Sequence, residues 1–365
     1  MQRRNFGKSF IGAAMAAGAA PAAATAAPTV NKPWGPGIKV TLQAGANPTD
    51  EDLRFVHQLG LKYVNFHLDA KDATLENFQR LKGKAESAGL KVWNIGHMGN
   101  RNMEEVTLNL PGRDKRIEEY KQYLKNMNKV GIRYVTYAHM ANGIWSTDRE
   151  TTRGPAPARA FNMAKGGKGY WGGKTYELPL THGRVYSEQE IWDNWAYFIK
   201  QVAPVAEAEN VFIGCHPDDP PVPMLGGIPR CIFGTFEGHK KALEIANSPN
   251  VGLCFCVGTW LEGGELMGAD AVTAIKHFGS QGKIFKVHFR NMSASLPHFV
   301  ETFVDNGYYD MYRAMKALVE VGFDGSLIGD HFPEMIGGPK VAVAYTMAWL
   351  RAMAQRAESE VGVKA

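Results

Sequence analysis

The stretch "KIFKVHFRN", residues 283–291, decides the fold. Read as a strand, it puts Lys286, His288 and Arg290 on one face and Phe285, Val287 and Phe289 on the other, because successive side chains point to opposite sides. The apolar face suits a layer of helices. The polar face must then look inward, where charged groups need partners or a ligand. "YVNFHLD" (63–69) repeats the pattern, with Asn65, His67 and Asp69 alternating with Val64, Phe66 and Leu68. Six more β-rich runs follow the same logic: "IKVTLQAG" (38–45), "KVWNIGH" (91–97), "YVTYAH" (134–139), "NVFIGCHPDD" (210–219), "VGLCFCVG" (251–258) and "SLIGDHF" (326–332). Between them lie charged stretches of helical spacing such as "TLENFQRLKGKAESAG" (74–89) and "RIEEYKQYLKNMNKVG" (116–131). This alternation predicts an α/β fold, a single-domain (β/α)8 TIM barrel over residues 34–360, with a doubly wound open sheet as the competing arrangement.

The totals agree with one large folded domain: 365 residues, 45% of them hydrophobic. The formal net charge is +5, of which Arg3, Arg4 and Lys8 supply three, so +2 remains and no nucleic-acid binder is expected. Those three cations belong to "RRNFGKSFIGAAMAAGAAPAAATAAP" (3–28), where paired arginines precede an alanine-rich run. Residues 1–27 read as a twin-arginine export signal, which implies a periplasmic protein. The run Phe10–Ala20 is shorter than the ~20 residues of a spanning helix, so no membrane span is expected after processing. Export in the folded state suits an enzyme that takes up its metal before leaving the cytoplasm. The four cysteines (Cys215, Cys231, Cys254, Cys256) are too few for a disulfide scaffold. One interruption, residues 140–186, is rich in Gly, Trp and Tyr and follows the fourth run, so it is expected to form a lid over the barrel mouth. Its "GKGYWGGKT" is not a phosphate loop, because Lys168 stands where the first glycine is required.

Catalytic groups of such a barrel come from the C-terminal ends of its strands. Here the runs end in His67 and Asp69, His97, His139, His216 with Asp218 and Asp219, Cys256, His288 with Arg290, and Asp330 with His331. Each has an ordinary alternative: a satisfied structural histidine, a core cysteine, an aspartate capping a helix. Four consecutive strand ends nevertheless supply two imidazoles, a thiol and a carboxylate, from His216, Cys256, His288 and Asp330, the donor set of a divalent transition metal. Cys254 and Cys256 point the same way; Cys256 is nearer the mouth. In "GCHPDDPP" (214–221) the prolines stiffen the strand exit and hold His216 and Asp218 or Asp219 toward one point. Neither HExxH nor the HxE/CxxC deaminase pattern occurs.

At these residues the chain resembles the mannonate dehydratases, a family of the xylose-isomerase-like TIM-barrel group. The shared stretches run through most of the chain and include "RIEEYKQYLKNMNKVGIRYVTY" (116–137), "IWSTDR" (144–149), "CHPDDPP" (215–221), "GIPR" (227–230), "VHFRN" (287–291), "ETFVDNGYYDMY" (301–312) and "GDHF" (329–332). The resemblance implies a carbon–oxygen lyase that removes water from a sugar acid, D-mannonate, to give 2-keto-3-deoxy-D-gluconate. It implies a manganese-type ion, with iron, cobalt or zinc as alternatives, on His216, Cys256, His288 and Asp330, and by analogy a homo-oligomer. With it, Arg290 is the expected carboxylate clamp, His331 with Asp330 the expected acid–base pair for C2 proton removal, and Asp218, Asp219, His67 and His139 the expected substrate contacts. The family's Pro-Gly-Tyr segment is replaced here by Gly338-Pro339-Lys340-Val341. That difference, with the export signal, motivates two other readings: a keto-sugar isomerase, epimerase or keto-glycoside-cleaving lyase using the same metal, and a non-catalytic sugar-binding protein.

Overall fold

The computed structural model describes residues 32–362; the expected export signal, residues 1–27, lies outside them. The strands β1 (Lys39–Ala44), β2 (Tyr63–Leu68), β3 (Lys91–His97), β4 (Tyr134–Ala138), β5 (Phe212–His216), β6 (Val251–Cys256), β7 (Ile284–His288) and β8 (Ser326–Ile328) form one sheet in the order β3-β2-β1-β8-β7-β6-β5-β4. Every pairing in it is parallel. A parallel bridge from Asn102, in the segment just beyond β3, to Ala138 of β4 links the two edges, so the sheet is a nearly closed barrel. Asn102 also accepts from the backbone N–H groups of Met140 and Ala141 at 3.1 Å each, pinning the seam.

Each strand is followed by a helix: α1 (Asp50–Gln58), α2 (Leu75–Ser87), α3 (Arg113–Lys129), α4 (Glu188–Ala208), α5 (Phe236–Ala246), α6 (Ala271–Ser280), α7 (Met311–Glu320) and α8 (Pro339–Val361). Local chemistry sets their starts. Thr49 and Asp52 form a capping box at α1, and Ser187 and Glu190 another at α4, each satisfying backbone donors that the first turn leaves free. In α3 the buried residues Ile117, Tyr120, Tyr123, Leu124 and Met127 recur at helical spacing and face the sheet. No described helix is long and apolar enough to cross a membrane.

The barrel interior is layered. At the N-terminal end Trp34 closes the floor, its ring 4.9 Å from Trp93 and 5.0 Å from Phe212, and Phe212 lies 5.2 Å from Phe285. Phe285 thus corrects the expectation from simple alternation, which gave it to the helix side. The β6–β7 register skips this residue between Leu253↔Ile284 and Cys254↔Lys286. Such a bulge re-aims one side chain without disturbing those beyond it, and Trp93 is skipped in the same way between β2 and β3. Above the aromatic floor is a polar layer in which Asn65 donates to Thr41 at 2.7 Å and Thr41 meets Ser326 at 2.8 Å. His216 and His288 close the top.

The segment 140–186 folds into short antiparallel strands. Ile144–Ser146, Lys168–Trp171 and Lys174–Glu177 form one sheet. Ala160–Asn162 pairs with His298–Thr302, beyond β7. Glu104, after β3, holds the hairpin through Lys174, Tyr176 (2.8 Å) and His182 (3.2 Å).

Gly214 sits between Phe212 and His216 on the inward face of β5, and a Cβ there would meet the Tyr134 ring, whose Cε2 is 2.7 Å away. Replacing Gly214 by alanine is expected to lower stability by about 1–3 kcal/mol through overpacking. The shift of the denaturant midpoint measures it; an unchanged midpoint would mean that this layer has slack.

Candidate active site

Four candidate ligand atoms, one each from His216, Cys256, His288 and Asp330, converge at the top of β5 to β8, all within 4.8 Å of one another. A divalent ion lies ~2.0–2.3 Å from such donors, so opposite ligands are separated by no more than about 4.6 Å. The cluster therefore has nearly the size a metal requires. His216 Nδ1 donates to the Pro217 carbonyl at 2.7 Å, which leaves Nε2 bare and turned toward His288 Nδ1 at 3.2 Å. His288 Nδ1 is 3.4 Å from Asp330. The Cys256 sulfur accepts from the Thr259 N–H at 3.4 Å and from Arg290 at 3.2 Å. Burial and then the charge of His288 hold His216 well below the usual histidine range. Burial also opposes a charged His288, but Asp330 and Cys254 outweigh it and raise that group well above its ordinary value. Cys254, one turn of the pleat below, faces His288 from under the cluster and is not one of the four ligands.

Behind the ligands lies a buried ionic network. Arg290 pairs with Asp219 (2.9 Å), Glu262 (2.8 Å), Glu301 (3.2 Å) and Asp330, and Arg159, from the 140–186 segment, pairs with Asp219 (2.6 Å), Glu262 (3.1 Å) and Glu301 (2.9 Å). Four carboxylates and a thiol thus share two guanidiniums. Burial and then Asp219 push the Glu262 carboxyl up, and the imidazole, thiol and carboxylate donors of the adjoining cluster are of the types that hold a divalent transition metal. The expectation that Arg290 clamps a substrate carboxylate is corrected here. Its side chain is 1% exposed, does not line the cavity, and pairs with four carboxylates of the protein.

A cavity of about 360 Å³ opens above the cluster, lined by His216, Asp219, His288, Asp330 and His331 on one side and by His67 and Arg101 on the other. His331 is held by Glu301, whose carboxylate accepts from Nδ1 at 2.7 Å, and its Nε2 stands 3.7 Å from Asp330 at the cavity wall. Burial opposes its protonation, but Asp330 and Glu301 raise it above the ordinary histidine value. His67 reaches the wall because Gly96 makes room: a Cβ there would stand 2.5 Å from its ring. Burial and then Arg101 keep His67 well below the usual range, hence neutral.

Two expected substrate contacts do not line the cavity. His139 shares the outward parity of Tyr137, hydrogen-bonds its hydroxyl at 2.8 Å and packs on Trp195 of α4, so it belongs to the helix layer. Asp218 turns away beside Arg230, and burial pushes its carboxyl up to about 7. Arg230, the arginine of "GIPR", ties the strand exit to the insertion through Pro220 O (3.1 Å) and Gly143 O (2.7 Å). Sequence reasoning missed Arg101, Arg159, Trp171, Glu262 and Glu301. Arg101 follows a strand end closely enough to have been found; the others lie in segments without strand-end position.

Arg290→Met, which leaves its carboxylates without their common cation, is expected to cost about 3–5 kcal/mol or to prevent folding, read by denaturation. Stability within 1 kcal/mol of the parent would contradict the hub.

The model of the family described as D-mannonate dehydratase (UxuA) matches residues 53–165 and 177–355. The chain is 30% identical over 302 residues to the mannonate dehydratase of Thermotoga petrophila, covering 74% of this chain and 81% of that protein. It is 31% identical over 261 residues to mannonate dehydratase 2 of Halalkalibacterium halodurans, covering 66% and 74%. Among solved structures, the mannonate dehydratase of Streptococcus suis serotype 2 superposes with a TM-score of 0.79 at 24% identity, covering 91% of this chain and 96% of that one. A 3-keto-D-glucoside 4-epimerase from E. coli shares the fold at a TM-score of 0.59 and 13% identity, covering 87% and 100%. By the extent of the family match, the chain belongs to the D-mannonate dehydratase (UxuA) family and is a carbon–oxygen lyase.

Proposed function

We propose that the protein dehydrates D-mannonate to 2-keto-3-deoxy-D-gluconate in this cavity, with a divalent metal, manganese first, on His216, Cys256, His288 and Asp330. The observation that carries the reading is a carboxylate-oriented histidine, His331 on Glu301, beside a compact His–Cys–His–Asp cluster. The bound metal would supply Lewis-acid stabilisation of the negative charge that builds up when C2 loses its proton. His331 Nε2 takes that proton, and Glu301 stabilises the resulting imidazolium as well as fixing the ring. The His331 imidazolium returns that proton to the C3 hydroxyl, which leaves as water, and the resulting C2 enol takes up a proton at C3 as its hydroxyl proton is released, giving the 2-keto acid. Neutral His67 donates a hydrogen bond to a substrate hydroxyl from the opposite wall. Trp171 and Ile144, from the 140–186 segment, cover the mouth and keep bulk water off the carbanionic intermediate.

A second reading, proton shuttling on a neutral keto-sugar, draws on one observation: among the described residues no tyrosine lines the cavity. Incubating the manganese-loaded protein with D-mannonate and assaying 2-keto-3-deoxy acid separates the two. Product is expected; turnover of a keto-sugar with none of mannonate would move the assignment to an epimerase or isomerase. His331→Asn is expected to lower kcat by roughly 10²–10⁴-fold with metal content, by elemental analysis, unchanged. Cys256→Ser and His216→Ala should instead lose bound metal, and chelator treatment of the parent should abolish turnover until manganese is restored.

A further inference from the structure

We infer that Arg101 is the residue that recognises the acid: its guanidinium holds the carboxylate of the sugar acid on the side of the cavity opposite the metal ligands. The inference rests on the proposed reading of the function and adds the group that makes the site select an anion.

The four candidate ligands stand on the half of the barrel formed by β5 to β8. Arg101 ends the short helix Met98–Arg101, directly after β3, and lines the cavity together with His67 of β2 and Gln43 of β1. A six-carbon acid in this cavity spans the two halves. Among the described residues, Arg101 forms no ion pair, and its buried Nε has no hydrogen-bond partner. The other two arginines nearest the site, Arg159 and Arg290, are consumed by Asp219, Glu262 and Glu301. Apart from histidines, Arg101 is thus the one cation on the cavity wall among the described residues.

The guanidinium is also aimed. It lies over the Trp171 ring at 5.6 Å, and the indole Nε1 is itself anchored to the Met98 carbonyl at 3.3 Å. A cation–π contact with an aromatic face restrains a guanidinium, whose planar fork matches a carboxylate better than a lysine ammonium does. An arginine without an ion pair on a cavity wall presents a ready partner for an anionic ligand.

The test compares Arg101→Met and Arg101→Lys with the parent, all manganese-loaded. KM and kcat for D-mannonate are measured, together with calorimetric binding of D-mannonate and of the neutral polyol D-mannitol, metal content and circular dichroism. The expected result is a rise of roughly ten- to a hundredfold in KM and Kd for mannonate in Arg101→Met, partial recovery in Arg101→Lys, and metal content and mannitol binding unchanged. Mannonate turnover by the parent with KM and Kd in Arg101→Met within twofold of it would overturn the role of Arg101 and leave the dehydratase reading standing. A parent that binds no sugar acid at all would overturn both.

Discussion

The arrangement at the barrel mouth depends on one buried guanidinium. Arg290 leaves the end of β7 and gathers Asp219 from the exit of β5, Glu262 from the helical turn after β6, Glu301 from the strand beyond β7 and Asp330 from the end of β8. Charges cannot be buried singly at tolerable cost, so each of these loops is held where its carboxylate meets the arginine. Two of these four partners also serve chemistry. Asp330 is a candidate metal ligand and Glu301 orients His331, so the same ion pairs that close the mouth fix the positions of the reacting groups. The Arg290 N–H toward Cys256 extends the control to the sulfur ligand.

The insertion after β4 completes this hub from outside the barrel. Arg159 brings a second guanidinium to Asp219, Glu262 and Glu301 and donates to the Trp145 carbonyl at 2.7 Å, so the added strands and the mouth share one electrostatic unit. Arg230 fastens the same insertion to the prolines of the β5 exit. Trp171 hangs from this scaffold, which lets a loop-borne aromatic ring hold a fixed position over the cavity. A site built in this way is polar on one wall, with carboxylates and imidazoles, and cationic on the other, where Arg101 and His67 line the cavity. An anionic sugar derivative matches that asymmetry.

Much of this was legible in the residues. Eight β-rich runs separated by helical spacing specified the barrel, and strand ends carrying His216, Cys256, His288 and Asp330 specified the ligand cluster, because strand-end position in a parallel barrel maps directly onto the mouth. Alternation failed where register shifts, as at Phe285, which turned inward at a bulge; at His139, one residue past β4, alternation held and kept the outward face of Tyr137, so strand-end position alone misplaced it. Arg290 was legible as an inward cation but not as a satisfied one. Its partners Glu262 and Glu301 come from segments whose place depends on how distant loops fold back.

The sequence by itself determined the architecture, the family and the four candidate ligands, since these follow from local periodicity and from chemistry at fixed points on a strand. Only the tertiary structure decided which charges are spent on one another and which remain for a ligand. Arg159, Arg230 and Arg290 are equivalent to Arg101 as letters. They differ because long-range packing surrounds three of them with carboxylates or backbone carbonyls and leaves the fourth stacked on Trp171 at the edge of the cavity. Pairing of buried charge is a property of the folded neighbourhood, and no local pattern encodes it.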